Sequence, residues 1–334
     1  MIDIATLMIV AVVVLAVIFD YINGFHDTAN AIATSVATRA LDPRAAIAMA
    51  TAFNFIGAFA GTAVAKTVGA GLVDEHTSTS AVIAAALVGA IVWNLITWYL
   101  GLPSSSSHAL IGGLFGSTLL AAGPGAFKID GIIGKVIFPM VSSPLIGFLG
   151  AMALVVLLFW LFRRAPRRPM TTVFRRLQIL SAGFMAFSHG SNDAQKTMGI
   201  ITLALFSAGL LTTVDVPAWV IVIAASALSL GTAIGGWRIM HTMGHRVVKL
   251  EPVHGFAAET TAATVLLTTA HFGMPVSTTH VIAAAIMGVG SAHGVRGVRW
   301  GVARSILAAW VITIPAAGFV AALSWLVLHF VGLG

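Results

Sequence analysis

Long apolar stretches without charge dominate the pattern of hydrophobic and polar positions in this chain. Residues 4–19, 45–65 and 76–127 contain no Asp, Glu, Lys or Arg, and a helix needs about 20 mainly apolar residues to cross a bilayer. The pattern therefore predicts membrane-spanning helices. Candidate spans from hydropathy are residues 4–22, 45–66, 79–100, 139–162, 178–211, 216–237, 254–272 and 302–331.

Two further apolar segments, residues 104–122 and 276–294, are rich in small residues and open with hydroxyl clusters. This composition favours re-entrant or broken helices over plain spans. An arginine-rich stretch with two prolines, residues 163–176, divides the chain into near halves. We predict an N-terminal transmembrane repeat at 1–162, a basic cytoplasmic linker at 163–176 and a C-terminal transmembrane repeat at 177–334.

Composition supports this interpretation and excludes several classes of protein. The 334 residues are 58% hydrophobic and 9% charged, against about 25% charged in a typical soluble domain. The net charge of +7 comes from basic clusters beside apolar spans, which indicates membrane topology with positive loops in the cytoplasm rather than nucleic-acid binding. Cysteine is absent, which excludes disulfides, thiolate catalysis and Cys-ligated metals.

Two polar motifs occur once in each half, in the same order. Residues 24–30, Gly-Phe-His-Asp-Thr-Ala-Asn, match residues 190–196, Gly-Ser-Asn-Asp-Ala-Gln-Lys, at an offset of 166. Residues 103–108, Pro-Ser-Ser-Ser-Ser-His, match residues 275–280, Pro-Val-Ser-Thr-Thr-His, at an offset of 172. With the linker in the cytoplasm and both termini outside, each half crosses an odd number of times. We predict an all-α polytopic membrane protein of two inverted-topology repeats with broken helices and re-entrant hairpins, typical of secondary transporters.

The first motif places Asp27 and Asp193 directly after apolar spans. A carboxylate at the centre of a membrane helix costs about 3 kcal/mol or more, so it usually faces a cavity and has a partner. Small neighbours could unwind the helix there, and freed carbonyls with the amides of Asn23, Asn30 and Asn192 would ligate Na⁺ or another metal ion. Alternatively, the carboxylates carry protons or act as helix N-caps. Glu259 is the third expected intramembrane carboxylate, and we predict that it takes part in cation binding or coupling.

The second motif supplies hydroxyl groups behind a proline and ahead of an apolar run. A half-helix that begins inside the membrane directs unpaired N–H groups and its positive dipole end at a cavity. We predict an oxyanion cradle; interhelical packing by small hydroxyl residues is the alternative. Its members are Ser105, Ser106, Ser107, Ser277, Thr278 and Thr279.

Three basic side chains accompany these motifs. Lys196 lies three residues after Asp193, so it either neutralises that carboxylate or contacts the substrate. His108 and His280 end the hydroxyl clusters and are either coupling residues or hydrogen-bonded packing residues. Three carboxylates against one lysine would repel an anion unless cations or protons accompany it, which favours coupled symport.

At these four motifs the sequence resembles the inorganic phosphate transporter (PiT) family, which has paired G-x-N-D-x-x-[NK] signatures and P-x-S-[ST]-[ST]-H segments. His26 departs from the first signature, where the second copy has Asn192. The resemblance implies uptake of inorganic phosphate with Na⁺ or H⁺, or as a metal–phosphate complex, at a site between the repeats. It assigns Asp27, Asn30, Asn192 and Asp193 to cation and substrate binding, and the two hydroxyl clusters to phosphate.

Other functions remain open at this point. Some similar proteins carry sulfate, and an anion channel or a membrane-embedded hydrolase using Ser and His are alternatives, although no G-x-S-x-G nucleophile elbow is present. The expected partners are phosphate, a co-transported cation and the lipid bilayer of the cell membrane, with no other cofactor and no nucleic acid. A homodimer is left open.

Overall fold

The computed structural model describes residues 3–292 and 294–333, and in this part the regular secondary structure is entirely helical. The α-helices are α1 Ile4–Ala37, α2 Pro43–Gly57, α3 Ala63–Ala70, α4 Ser80–Leu100, α5 Ser106–Ala122, α6 Ile129–Gly131, α7 Phe138–Leu161, α8 Arg167–Ser207, α9 Ala218–Ile234, α10 Trp237–His241, α11 Pro252–His271, α12 Thr278–Ser291 and α13 Trp300–Phe330. A π-helical segment, Ile132–Ile137, joins α6 to α7, and another, Thr242–Arg246, follows α10.

The two halves repeat the same order of elements. Helix α8 corresponds to α1, the bent pair α9–α10 to α2–α3, α11 to α4, α12 to α5, and α13 to α6–α7. Even the isolated backbone bridges repeat, since Val73 pairs with Phe127 and Val248 pairs with Val298. This correspondence confirms the predicted duplication.

Each bridge closes the open end of a helical hairpin. Val73 precedes α4 and Phe127 follows α5, so α4 and α5 enter and leave on the same face; we call residues 80–122 hairpin 1. The second bridge closes α11 and α12 in the same way, and residues 252–291 are hairpin 2. The segments predicted as separate spans at 79–100 and 254–272 are therefore the first helices of the two hairpins, α4 and α11. Helix α4 is nevertheless long and apolar enough to cross a membrane.

Contacts at the helix ends assign the hairpins to opposite faces. Ser207, at the end of α8, donates to the backbone oxygen of Glu75, beside the opening of hairpin 1. The opening of hairpin 2 lies beside the linker, because Glu251 and Pro252 line a cavity of about 700 Å³ together with Arg163. We infer from these faces that each half of the described chain crosses three times outside its hairpin: α1, α2–α3 and α7 in the first half, and α8, α9–α10 and α13 in the second. Of these, α1, α7 with its preceding turn, the bent pair α9–α10 and α13 are long and apolar enough to cross a membrane. An odd number inverts the second half relative to the first, as predicted.

The basic residues mark the cytoplasmic face. Exposed arginines and a lysine surround the linker and the opening of hairpin 2, which by the positive-inside tendency is the cytoplasmic side. They are Arg39, Arg44, Arg163, Arg164, Arg168, Arg175, Arg176, Arg246, Lys249, Arg296, Arg299 and Arg304. Helix α8 already begins at Arg167, so most of the predicted linker is the first part of that helix.

The last helix of each half packs on the hairpin of the other half. Helix α13 lies against α5, and α7 lies against α12. Glycine makes both contacts close: a Cβ at Gly116 would lie 2.0 Å from the Gly318 oxygen, and one at Gly288 would lie 2.1 Å from the Phe148 oxygen. This exchange holds the inner arms of the hairpins, α5 and α12, end to end in the middle of the protein.

Candidate functional site

The two acidic motifs lie in the middle of helices that are continuous. Asp27 and Asp193 are buried in α1 and α8, which run unbroken through the motifs. The predicted unwinding is wrong because the motif glycines serve close packing instead: a Cβ at Gly24 would lie 2.2 Å from the Leu228 oxygen, and one at Gly190 would lie 2.2 Å from the Asn54 oxygen. Backbone carbonyls stay in the helices, so the ligands here are side chains.

The tips of the two hairpins meet beside these carboxylates. Ser105 and Ser277 are the N-caps of α5 and α12, and their Oγ atoms accept the backbone N–H groups of His108 and His280 at 3.1 and 3.2 Å. The two histidine rings lie 4.5 Å apart, edge to face. Both capping serines are thus occupied within their own helices. The N–H groups of the first two residues of α5 and of α12, at the hairpin tips, have no acceptor inside their helices.

Hydroxyl groups of hairpin 2 contact both acidic motifs. Thr278 Oγ1 lies 3.2 Å from Asp193 Oδ2 and 3.5 Å from Asp27 Oδ2. Thr279 Oγ1 lies 3.5 Å from Asp27 Oδ1 and accepts a hydrogen bond of 2.9 Å from Asn30 Nδ2. The start of α12 therefore bridges α1 and α8.

Lys196 brings hairpin 1 into the same cluster. Its ammonium group is ion-paired with Asp193 and donates to Ser107 Oγ and, at 3.0 Å, to the Val276 oxygen. The ion pair fits the interpretation that Lys196 neutralises Asp193, and its bond to Ser107 places it at the predicted anion cradle; its contact with a substrate stays a prediction.

Each central carboxylate also has a histidine partner. His26 Nδ1 lies 2.6 Å from Asp27 Oδ1, and His189 Nε2 lies 3.1 Å from Asp193 Oδ2. In the sequence both histidines flank the acidic motifs, but they rank as secondary candidates there because His26 precedes its aspartate by one residue and His189 by four. Donor atoms of Asp27, His189 and Asp193 lie within 4.8 Å of one another, and two carboxylates with an imidazole suit a divalent metal ion.

Comparison with known proteins identifies the family. The phosphate transporter family model matches residues 23–171 and again residues 162–321. The chain belongs to this family. It is 46% identical over 332 residues to a probable low-affinity inorganic phosphate transporter of Bacillus subtilis (strain 168), covering 98% of this chain and 99% of the relative. It is 49% identical over 320 residues to one of Rhizobium meliloti (strain 1021), covering 95% and 96%.

A solved structure described as the sodium-dependent phosphate transporter has the same fold. The TM-score is 0.88 at 24% identity, over 97% of this chain and 99% of the other. The protein is thus a multi-pass transporter of the cell membrane, not an enzyme, and the family resemblance proposed from the four motifs is confirmed.

In this transporter Glu259 lies apart from the central site. Its carboxylate accepts hydrogen bonds from the hydroxyls of Thr34 and Ser181 and, at 3.3 Å, from Gln178 Nε2. Thr34 lies seven residues beyond Asp27 on α1, about 10 Å towards the cytoplasm. The sequence grouped Glu259 with Asp27 and Asp193, and the structure separates them.

The histidines of the hairpins face one another rather than the carboxylates. His280 stacks on Trp310 with ring centroids 3.9 Å apart, and Trp310 Nε1 donates to the Pro103 oxygen at 3.2 Å. In the described residues neither His108 nor His280 bonds to Asp27 or Asp193 through its side chain. Their coupling role remains a prediction, while the geometry fits packing between the tips.

Sequence reasoning overlooked Asp20. It lies seven residues before Asp27 on α1, and its side chain is fully buried. The signal was available, because residues seven apart share a helix face, but Asp20 entered the sequence analysis only as the charge that ends the apolar stretch at residue 19. The described core therefore contains four buried carboxylates, of Asp20, Asp27, Asp193 and Glu259, against one buried ammonium group, of Lys196.

Proposed function

We propose that this transporter carries inorganic phosphate in symport with a cation, through the site between the hairpin tips. The observation that carries the proposal is the convergence of two helix N-termini, their hydroxyl groups and Lys196 on a pair of buried carboxylates. The relatives named as low-affinity inorganic phosphate transporters support phosphate as the substrate. The structural neighbour described as sodium-dependent supports a cation.

The anion would be held by donors from both hairpins. Ser106, Ser107, Thr278 and Thr279 offer backbone N–H groups or hydroxyls at the positive ends of two helix dipoles, and Lys196 adds a positive charge. Phosphate near neutral pH keeps a proton that it can donate to a carboxylate, whereas sulfate has none. Carboxylates beside the cradle therefore favour phosphate over sulfate.

The cation would be held by Asp27 and Asp193. These two carboxylates outnumber the single ammonium group of Lys196, so a phosphate ion is attracted only together with positive charge. Asn192 lies beside Asp193, and its amide has no hydrogen bond within the described residues, so it can serve as a further ligand. Na⁺, protons or a divalent ion that enters as metal–phosphate would each supply the charge, and His189 suits the divalent ion best.

Transport requires the hairpins to move. Every side chain of the site is buried, so this conformation is closed to both faces. Hairpin 1 opens on the outer side and hairpin 2 on the cytoplasmic side, and we assign one gate to each. Alternating access would then follow from displacing one tip at a time from α1 and α8.

Uptake into proteoliposomes tests the proposal. Purified protein is given labelled phosphate under a Na⁺ gradient, a pH gradient, both or neither, with Mg²⁺ present or absent and sulfate as the competitor. We expect concentrative uptake that follows at least one cation gradient and resists sulfate. Saturable uptake that never exceeds equilibrium, whatever gradient is imposed, would show a facilitator or channel instead.

Single hydroxyl deletions test the location of the anion. Removing a hydrogen bond to a charged group costs about 1.5–3 kcal/mol, or about 10- to 100-fold in phosphate affinity. We expect this loss for Ser107→Ala and Thr279→Ala. The matched control is Thr264→Val, an exposed hydroxyl on α11 that bonds only to its own helix in the described residues. Equal affinity in all three variants would exclude the hairpin tips as the anion site.

A further inference from the structure

Asp20 lies on a buried polar stripe that follows one face of α1. The stripe contains Asp20, Asn23, Asp27, Asn30 and Thr34, spaced three or four residues apart, and all are at most 1% exposed. Since α1 starts on the outer side, Asp20 lies about 10 Å outward of Asp27. Thr34 and its partner Glu259 lie a similar distance inward. The central site is thus flanked by one acid on each side.

Within the described residues the buried Asp20 carboxyl group has no cationic side chain in contact, and neither of its oxygens has a hydrogen bond of ordinary geometry. The polar side chains that face it are the Asn23 amide and the Thr197 hydroxyl, which can each donate to it or accept from it. Asn23 Oδ1 and Thr197 Oγ1 have no other partner in the same region. With only these two neutral neighbours, ionising the buried carboxyl group is costly.

The ligand count favours a proton over a divalent metal ion at Asp20. Asp20 offers two oxygens, Asn23 one and Thr197 one, and the carbonyls of α1 and α8 remain inside continuous helices. Calcium takes 6–8 oxygen ligands and magnesium an octahedral set. A proton needs a single acceptor, which Asn23 Oδ1 or Thr197 Oγ1 supplies to a neutral Asp20 carboxylic acid.

We propose that Asp20 is a proton-carrying site on the outer side of the phosphate site, and that its proton travels with the anion. This inference rests on the proposed symport and names protons as a coupling cation. The proton binds Asp20 from the outer solution when the outer gate is open. It leaves towards the cytoplasm after the outer gate has closed and the cytoplasmic gate has opened. Ala186 occupies the position of Asp20 in the second repeat, so the site is not duplicated.

The surroundings of Asp20 link this proton to phosphate. Asp193 and Lys196 of α8 are the charged groups that act on it. Of the other helices packed on this part of α1, α9 has no ionisable residue and α4 has only Tyr99, near its far end. Asp193 and Lys196 offset each other while they are paired. A phosphate that draws Lys196 away exposes Asp20 to added negative charge, which favours the neutral acid.

Proteoliposomes with the wild type, Asp20→Asn, Asp20→Glu and Thr197→Val test the inference. Each is assayed for phosphate counterflow at equal pH, for accumulation under outward or inward pH gradients, and for phosphate-dependent proton entry with an internal pH dye. One pH unit supports about tenfold accumulation per proton. We expect Asp20→Asn to lose this tenfold factor and proton entry while counterflow stays within about threefold of the wild type. Asp20→Glu should keep all three.

Two further variants make every outcome informative. Asp3→Asn, the same change at the exposed start of α1, should behave as the wild type. If Asp20→Asn does not fold, Thr197→Val, which removes one acceptor, should still shift the pH dependence of uptake without abolishing counterflow. Three outcomes would overturn the inference about Asp20 without contradicting symport. They are proton-driven accumulation that survives in folded Asp20→Asn, a pH dependence that is unchanged in Thr197→Val, and a wild type that is driven by Na⁺ alone. A wild type that responds to no gradient would overturn both.

Discussion

The two repeats agree at the residues of the central site and differ in the acids on either side of it. Asp27 matches Asp193, and the hydroxyl cluster of hairpin 1 matches that of hairpin 2. Asp20 on the outer side and Glu259 on the inner side have no acidic counterpart, since Ala186 and Leu87 occupy their positions. Duplicated residues build the site from both sides, whereas the unduplicated acids distinguish outside from inside.

The contrast is sharpest around Glu259. Three polar side chains hold its carboxylate, namely Thr34, Gln178 and Ser181. The positions related to these by the pseudo-symmetry are Val12, Leu15 and Leu87 in the first repeat and Ile200 in the second, and all belong to or pack on one apolar core. The polar pocket on the inner side thus faces an apolar core on the outer side. This difference gives the symmetric scaffold the direction that the proposed symport requires.

The largest effect should come from breaking the duplicated pair. Asp193→Asn leaves Lys196 without its ion-pair partner, and an unpaired buried charge costs about 3–5 kcal/mol, or at least about 100-fold in kcat/KM for phosphate. Asp27→Asn removes no lysine partner and should cost about tenfold. Initial uptake rates in proteoliposomes measure both variants.

The control for this pair is Asp193→Asn combined with Lys196→Met, which removes both charges. It should recover stability in a thermal unfolding assay without recovering transport. Equal losses for Asp27→Asn and Asp193→Asn would mean that the ion pair does not distinguish the halves.

Much of this site followed from the sequence, for a physical reason. Inverted duplication forces matched motifs to meet at the pseudo-symmetric centre, so offsets of 166 and 172 were enough to bring Asp27, Asp193 and the hydroxyl clusters together. The continuity of α1 and α8 could not be predicted from the sequence. A motif glycine is equally compatible with a break in the helix and with close packing against another helix, and the sequence does not show whether a neighbouring helix lies against it. Asp20 was missed because it stands at the end of a charge-free stretch, where a charged residue is equally expected at the end of a membrane span.

The second prediction removes the inner acid. Glu259→Gln keeps the shape and lets the hydroxyls of Thr34 and Ser181 reorient, but it abolishes the charge. Each hydrogen bond to a charged group contributes about 1.5–3 kcal/mol, so gradient-driven uptake should fall about tenfold. Counterflow at equal ionic conditions should fall less.

The matched control for Glu259 is Leu87→Met, a volume-conserving change at the corresponding position of the first repeat. It should leave both assays unchanged. Counterflow and driven uptake that decline together in Glu259→Gln would place this carboxylate in the anion site instead of the cation path.

A smaller effect is expected from making the two signatures alike. His26→Asn introduces the residue that the second copy has at position 192. It removes the contacts of His26 Nε2 with Thr97 at 3.1 Å and of Nδ1 with Asp27. The lost bond with Thr97 is neutral and costs about 0.5–1.5 kcal/mol, and the introduced amide can still donate to the Asp27 carboxylate, so KM for phosphate should rise about threefold. The reverse change, Asn192→His, serves as the control; an unchanged KM in His26→Asn would show that the difference between the signatures is neutral.

The smallest effect concerns the open ends of the hairpins, where the halves also differ. Lys128 Nζ bonds Glu75 Oε2 at 2.5 Å across the opening of hairpin 1, whereas hairpin 2 has Leu250 and Arg299 at the corresponding positions, and Arg299 donates to the His245 oxygen instead.

Burial raises the pKa of the Glu75 carboxyl, but the hydrogen bond and charge of Lys128 outweigh this, so its pKa lies below the usual 4.5. The pair then adds stability above pH 4.5 and loses it as the pH falls through the lower folded value. Because both groups are partly exposed, Glu75→Gln should cost about 0.5–1 kcal/mol at pH 7.

Thermal unfolding in detergent at pH 7 and near pH 3 measures this effect. The difference in stability between wild type and Glu75→Gln should disappear at the acid pH. The control Asp130→Asn, at an exposed acid on the same side, should match the wild type at both pH values. A difference that persists in acid would mean that Glu75 stabilises hairpin 1 by packing and not by its charge.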